Sequence, residues 1–301
     1  MGREAADIEW NVFAITDVGR VRKNNEDSFV VADLSTGNAQ HTLVSGRYRQ
    51  GRLGLLLLVA DGMGGEASGE VASEICVTVV PRRLRELLRS ADPLHEAAFL
   101  QALHNAMADA NRAIFLKAQE SPLFAGMGTT ATAVGVFGAQ FFVGQVGDSR
   151  AYLHRGKRLV QLTRDQTFLN YLADIGAQLP ADPESDGRRN ILTQAVGTSP
   201  LLDVKVSQID LCRGDRILVC SDGLYSMVRQ PEIEALLAQP GSLDEVAHSL
   251  VSAANANGGK DNVTVILAEA TGAGLPEPDG DPQPRELESS RGPSPSGLPR
   301  A

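Results

Sequence analysis

The chain of 301 residues is 43% hydrophobic and carries a net charge of −9, from 28 basic and 37 acidic residues. That length suits one large domain or two small ones at roughly 100–200 residues each. The acidic balance argues against nucleic acid, which requires a basic footprint, and against an anionic membrane surface. No apolar run approaches the ~20 residues of a membrane span, and the N-terminal MGREAADIEW has no signal-peptide apolar region. Cys76, Cys212 and Cys220 show no CxxC spacing and read as small core residues in a reducing cytoplasm, with no disulfide framework.

In chain order, Trp10–Thr16 and Ser28–Ala32 read as strands separated by a basic turn. Residues 35–52, rich in Gly, Ser, Arg and Gln, read as a mobile loop. The continuous apolar run Leu53–Ala60 is a buried strand. A helix over Ala67–Val80 is expected to end or kink at Pro81, with Leu84, Leu87 and Leu88 continuing its stripe. A second helical period covers 94–119 and should pack beside the first. Residues 128–163 then alternate with period two as an antiparallel meander turning at Gly138 and at Arg155–Lys157. The segment 164–190 reads as part helix, part Pro/Asp/Gly loop. Strands follow at Val204–Ile209 and Arg216–Cys220, helices near Pro231–Ala238 and at Leu243–Ala256, and a last strand at Asn262–Glu269. From 271 onward the chain packs seven of its 15 prolines into 31 residues, a composition expected to stay disordered and to be removable without loss of stability. Strands and helices come in blocks, so an α+β fold with antiparallel sheets is favoured over a doubly wound one.

Aspartates recur at the strand ends. Three apolar runs lead into Asp61-Gly62, Gly147-Asp148-Ser149 and Ser221-Asp222-Gly223, while Asp261 precedes VTVILAE and Asp27 precedes SFVVA. A single Asp-Gly after a strand is ordinarily a turn. Five such aspartates gathered at one sheet edge would repel and have raised pKa values unless a cation neutralised them. An all-carboxylate site suits Mg²⁺ or Mn²⁺ rather than zinc, and the five histidines lie outside every one of these motifs. A bridged metal pair ~3.5–4 Å apart would activate water for an in-line displacement at phosphorus. Arg22 is the candidate phosphate fork, set against the alternative that Arg20, Arg22 and Lys23 form a solvated basic turn. Gly62–Ala67 fits G-x-G-x-x-A, but Asp61 before it and the absence of a βαβ unit after it speak against a dinucleotide site.

The ordered set TDVGRVRKNNEDSF (16–29), VADGMGGEASGEVAS (59–73), GTTATAVGV (128–136), VGDSRAYL (146–153), ILTQAVGT (191–198), ILVCSDGLYSMV (217–228) and GGKDNVTVIL (258–267) resembles the bacterial branch of the PP2C-like (PPM) metal-dependent Ser/Thr phosphatases. The resemblance spans residues 8–270. It implies a four-layer αββα sandwich, two antiparallel sheets flanked by helical pairs, with 164–190 as a flap beside the site. It implies that Asp61 bridges two Mn²⁺ or Mg²⁺ ions. The Gly62 carbonyl, Asp222 and Asp261 would complete their ligands, and Asp27 would act through water. Asp148 would join Asp222 at a weaker third metal, and Arg22 would bind phosphate. The implied activity is hydrolysis of phosphoserine and phosphothreonine by water, in a cytoplasmic monomer whose partners are phosphorylated proteins and Ser/Thr kinases. Two positions depart from the pattern. Met63 replaces a histidine found in eukaryotic members and cannot donate a proton, and Asp165-Gln166-Thr167 replaces Asp-His-Ser. The rival readings are a non-catalytic phosphoprotein-binding module and another two-metal phosphoesterase, such as a nuclease or phosphodiesterase.

Overall fold

The computed structural model describes residues 8–64, 68–180, 182, 186–272, 274–278, 280 and 285–287. Five strands open the chain: β1 (Glu9–Asp17), β2 (Asp27–Asp33), β3 (Asn38–Gln40), β4 (Val44–Arg49) and β5 (Leu55–Met63). Two long helices follow, α1 (Ser68–Ser90) and α2 (Glu96–Gln119), then β6 (Gly128–Thr129), β7 (Ala131–Phe137), β8 (Gln140–Val146), β9 (Arg150–Arg155) and β10 (Arg158–Gln161). The remainder comprises α3 (Phe168–Asp174), β11 (Lys205–Asp210), β12 (Arg216–Cys220), α4 (Asp222–Tyr225), α5 (Gln230–Leu237), α6 (Leu243–Ala256), β13 (Val263–Thr271) and β14 (Arg285–Leu287).

The strands form two antiparallel sheets, ordered β10-β9-β12-β13-β1-β4 and β14-β11-β8-β7-β5-β2-β3, with β6 paired to β5. Because successive side chains of a strand point to opposite faces, β5 feeds two cores. Leu55, Leu57 and Val59 join Phe29, Val31, Val219 and Ile266 between the sheets. Leu56, Leu58 and Ala60 join Val80, Leu84, Leu103 and Met107 beneath α1 and α2. On the far side Val263, Val265 and Leu267 pack with Leu237, Leu250 and Ala254 of α5 and α6. The result is the four-layer αββα arrangement the sequence implied, and all three cysteines are free and buried within it.

Four expectations need correction. Residues 35–52 are not a bare loop but contain β3 and β4, and β4 is an edge strand paired to β1 from Val44↔Ala14 to Arg49↔Glu9. An edge strand keeps polar side chains on its open side, which makes it look like a loop in sequence. Helix α1 does not end at Pro81 but runs through it to Ser90, and Leu84 and Leu88, on the stripe expected beyond the proline, are buried in the same core as Val80. The stretch 128–163 is no single meander: β7–β8 belongs to one sheet and β9–β10 to the other, and Gly147-Asp148-Ser149 carries the chain between them. Finally, part of the segment after 271 is placed. Leu275 is 3% exposed within the inter-sheet core, the Arg213 N–H donates to the Pro276 carbonyl (2.8 Å), and β14 pairs with β11. Most of the rest of 271–301, with 181 and 183–185 of the flap segment, lies outside the described residues.

Removal of the chain from residue 273 onward should therefore lower the melting temperature rather than leave it intact. Leu275→Ala alone should cost about 2–4 kcal/mol in denaturant unfolding, the range for emptying a buried leucine site.

Candidate metal centre

The strand period that builds the cores also aims the site. In β5 and β2 the odd-numbered residues face the inter-sheet layer, so Asp61 and Asp27 continue that face past its apolar end, directly opposite one another in register. From the other sheet, Thr264 within β13 and Ser221 just past the end of β12 occupy the same end. Ser221 Oγ and Thr264 Oγ1 each donate to Asp27 Oδ2 at 2.7 Å. The Thr264 N–H donates to Ser221 Oγ (3.0 Å), so the serine hydroxyl is engaged on both sides. Asp61 is held through its backbone: its N–H donates to Thr130 Oγ1 (2.9 Å), and its carbonyl accepts from the Thr130 N–H (2.8 Å) and Thr129 Oγ1 (2.9 Å).

The two Asp-Gly pairs are not simple turns. Asp61-Gly62-Met63 continues β5 and pairs with β6, and Asp222-Gly223 opens α4. Glycine is needed at both places for close approach. A Cβ on Gly62 would lie 2.2 Å from the Gly69 carbonyl oxygen, and one on Gly223 would lie 2.0 Å from that of Asn262.

Asp261 is turned outward to Arg22, whose Nη2 donates to Asp261 Oδ2 at 2.7 Å. Its other oxygen accepts the Asn262 N–H (2.9 Å). Asn262 is a residue the sequence reading did not single out. It accepts the Glu26 N–H (2.8 Å) and donates to the carbonyls of Val18 (3.0 Å) and Asn24 (2.9 Å), which ties the Arg22 loop to β13. Ser221, Thr264 and Thr130 were also missed. Their signal is a hydroxyl at an inward position of an otherwise apolar strand or beside one. Asp148 lies in the sheet-to-sheet crossing, 7% exposed, its carbonyl accepting from Tyr225 Oη (3.0 Å). Met63 is 39% exposed at the rim. A cleft of about 690 Å³ lies against the flap base. Its lining includes Gln145, Asp165, Gln166 and Tyr171 but none of Asp27, Asp61, Asp222 or Asp261.

Burial is the first cause of the site's electrostatics, and repulsion between like charges adds to it. Asp27 is pushed up to about 7 by burial, against the pull of its two hydroxyl donors, with Asp222 and Asp261 raising it further. Burial also lifts Asp222 to about 6, with Asp261 adding, and Asp148 to about 7, with Asp222 and Asp165 adding. Asp61 is held well above the carboxylate range by burial and then by Asp27, Asp222, Asp148 and Asp261. Two buried carboxylate oxygens, Asp27 Oδ1 and Asp222 Oδ1, have no hydrogen-bond partner. Among the described residues no three His, Cys, Asp or Glu side chains are already drawn into a common ligand set. The aspartates are near enough to raise one another's pKa, and the side chains of Asp61 and Asp222 lie within hydrogen-bonding reach of each other. The donor set is all oxygen, its partnerless atoms are anionic, and the missing element is positive charge. These residues fit a hard divalent cation.

With fold and site in view, the chain can be compared with known proteins. The family described as Protein phosphatase 2C matches residues 44–268, and the chain belongs to that family. The individual likenesses are to bacterial enzymes. Over 255 residues it is 34% identical to the Serine/threonine phosphatase stp of Listeria welshimeri, covering 84% of this chain and 93% of the relative. It is 35% identical to the Serine/threonine protein phosphatase PstP of Mycobacterium tuberculosis, covering 85% of this chain and 44% of that longer protein. The crystal structure of the M. tuberculosis phosphatase PstP/Ppp superposes with a TM-score of 0.71 at 34% identity, over 87% of this chain and 98% of that one. A PstP catalytic-domain structure in complex with two manganese ions gives 0.69 at 32%, over 88% and 99%. Among the described residues no helix is long and apolar enough to cross a membrane.

A carboxylate whose folded pKa lies above its unfolded value binds more protons when folded, so metal-free stability should fall as pH rises from about 4 to about 7 through these groups. A divalent cation removes that loss. The increase in melting temperature on adding Mn²⁺ should therefore be larger at about pH 8 than at about pH 5, and Asp222→Asn should shrink the difference.

Proposed function

We propose that the chain is a Mn²⁺- or Mg²⁺-dependent phosphatase that hydrolyses phosphoserine and phosphothreonine on proteins phosphorylated by Ser/Thr kinases. The observation that carries this reading is the pair of partnerless buried carboxylate oxygens, Asp27 Oδ1 and Asp222 Oδ1, beside Asp61 in a chain with this family membership. Asp61, Asp222, Asp261 and the Gly62 carbonyl would hold two cations, with Asp27 acting through water. Asp148 would share a third, weaker one with Asp222. When bound, such cations supply Lewis-acid activation of water and neutralise charge on the phosphoryl oxygens.

The chain's own groups favour direct attack by water. Ser221, one of the two hydroxyls bonded to Asp27, is fully buried and committed to Asp27 and Thr264. Cys220 is fully buried, and burial pushes its thiol up to about 12, so neither side chain is a usable nucleophile. Arg22 is half exposed and uses Nη2 on Asp261. A guanidinium has five N–H donors, so the same side chain can fork a phosphate while it steadies Asp261. Met63, at the rim, offers no proton to the leaving oxygen.

The full chain should hydrolyse a phosphothreonine peptide with Mn²⁺ and stop on addition of EDTA. Asp222→Asn should fold normally and lose about 100-fold or more in kcat/KM; full activity in that variant would refute the assignment. Arg22→Ala should raise KM about tenfold, as expected for loss of a charged ground-state contact, and an unchanged KM would return Arg22 to a surface turn.

A further inference from the structure

The turn that carries Asp148 is enclosed by a ring of groups from β9, α4 and the base of the flap segment. On one side, the Gln166 N–H donates to the Gly147 carbonyl (3.0 Å) and Gln166 Oε1 accepts the Gly147 N–H (2.8 Å). The neighbouring Asp165 is clasped by Arg150, with Nε 2.9 and 3.1 Å from its two oxygens and Nη2 at 2.6 Å. Arg150 Nη1 donates to the buried Tyr152 hydroxyl (2.8 Å). The guanidinium lies over the Tyr225 ring, 3.5 Å from its centroid, and Tyr225 Oη closes the ring on the Asp148 carbonyl (3.0 Å).

Tyr225 is thus the point where three parts meet. It stands three residues after Asp222 on α4, a spacing that places the two side chains on neighbouring positions of one helix face. Its hydroxyl holds the Asp148 turn, and its ring face receives the cation that holds the flap base, a geometry in which cation and π face attract. We propose that Tyr225 is a positioning residue that sets the spacing between the Asp148 and Asp222 carboxylates and ties that spacing to the flap through Arg150 and Asp165. The role of Tyr225 rests on the reading that Asp148 and Asp222 share a cation. Packing alone would predict a different outcome, since a tyrosine that merely filled space would lose nothing specific on becoming phenylalanine.

The test uses the full chain, with Mn²⁺ binding followed by calorimetry and, separately, by the Mn²⁺ dependence of phosphopeptide hydrolysis. Tyr225→Phe keeps the ring and removes the hydroxyl. It should weaken the weakest class of Mn²⁺ sites about tenfold, the lower end of what loss of a supporting contact costs a metal site, while the tighter sites stay as in the parent. Tyr225→Leu removes the platform under Arg150 as well and should also raise KM for the peptide. Arg150→Lys, which cannot make the bidentate clasp, should reproduce the weakened site from the other end and serves if the tyrosine variants do not fold. A Tyr225→Phe isotherm identical to the parent in every class of site overturns the proposal and leaves the two-metal reading standing. A parent that binds no Mn²⁺ overturns both.

Discussion

Negative charge placed where an apolar sandwich comes to an end is the condition to which the rest of the molecule responds. Asp27 and Asp61 continue the inward face of β2 and β5, and the strand period leaves them no other direction. Water is largely excluded there, and Asp222 and Asp261 approach from the opposite sheet, so burial and repulsion act together on the same groups. The surroundings answer this in part. Two hydroxyls serve one oxygen of Asp27, the backbone of Asp61 is held by two threonines, and Arg22 covers Asp261. One oxygen each of Asp27 and Asp222 is left without a hydrogen-bond partner.

Much of this was legible in the sequence because two simple periodicities carry it. The continuous apolar run of β5 betrays a strand buried on both faces, and α6 and β12 fall within the bounds their patterns suggested. The aspartates were visible because each sits where an apolar strand stops or starts. What escaped was whatever depended on which sheet a strand joins. Alternation marks β8 and β9 as strands but does not say that the chain changes layers at Gly147, and this crossing is what brings Asp148 to the site. Pro81 carries a local penalty and the leucines beyond it continue the stripe, both visible in sequence, while the packing that lets the stripe prevail is a tertiary fact. The polar strand β4 hides for the opposite reason, since its edge position lets water do what a partner strand would.

The supporting residues were harder to see than the carboxylates they support. Ser221, Thr264 and Asn262 are small polar residues within quoted motifs, and nothing local separates a hydroxyl that caps a turn from one that holds a carboxylate. Arg22 and Asp261 were placed in separate roles by the resemblance, yet they touch one another. Arg22 and the outermost carboxylate are a single electrostatic unit, and a substitution at either is felt by both.

The site straddles the two sheets. Asp27 and Asp61 ride on one, while Asp222 and Asp261 flank strands of the other. Side-chain packing of the inter-sheet layer, from Leu57, Val59 and Phe141 to Val219 and Ile266, sets the distance between the two halves together with the Ser221 and Thr264 hydrogen bonds to Asp27 at its end. That layer therefore works as a spacer as well as a core. A methylene gained or lost there changes the separation between the carboxylates that the two sheets carry.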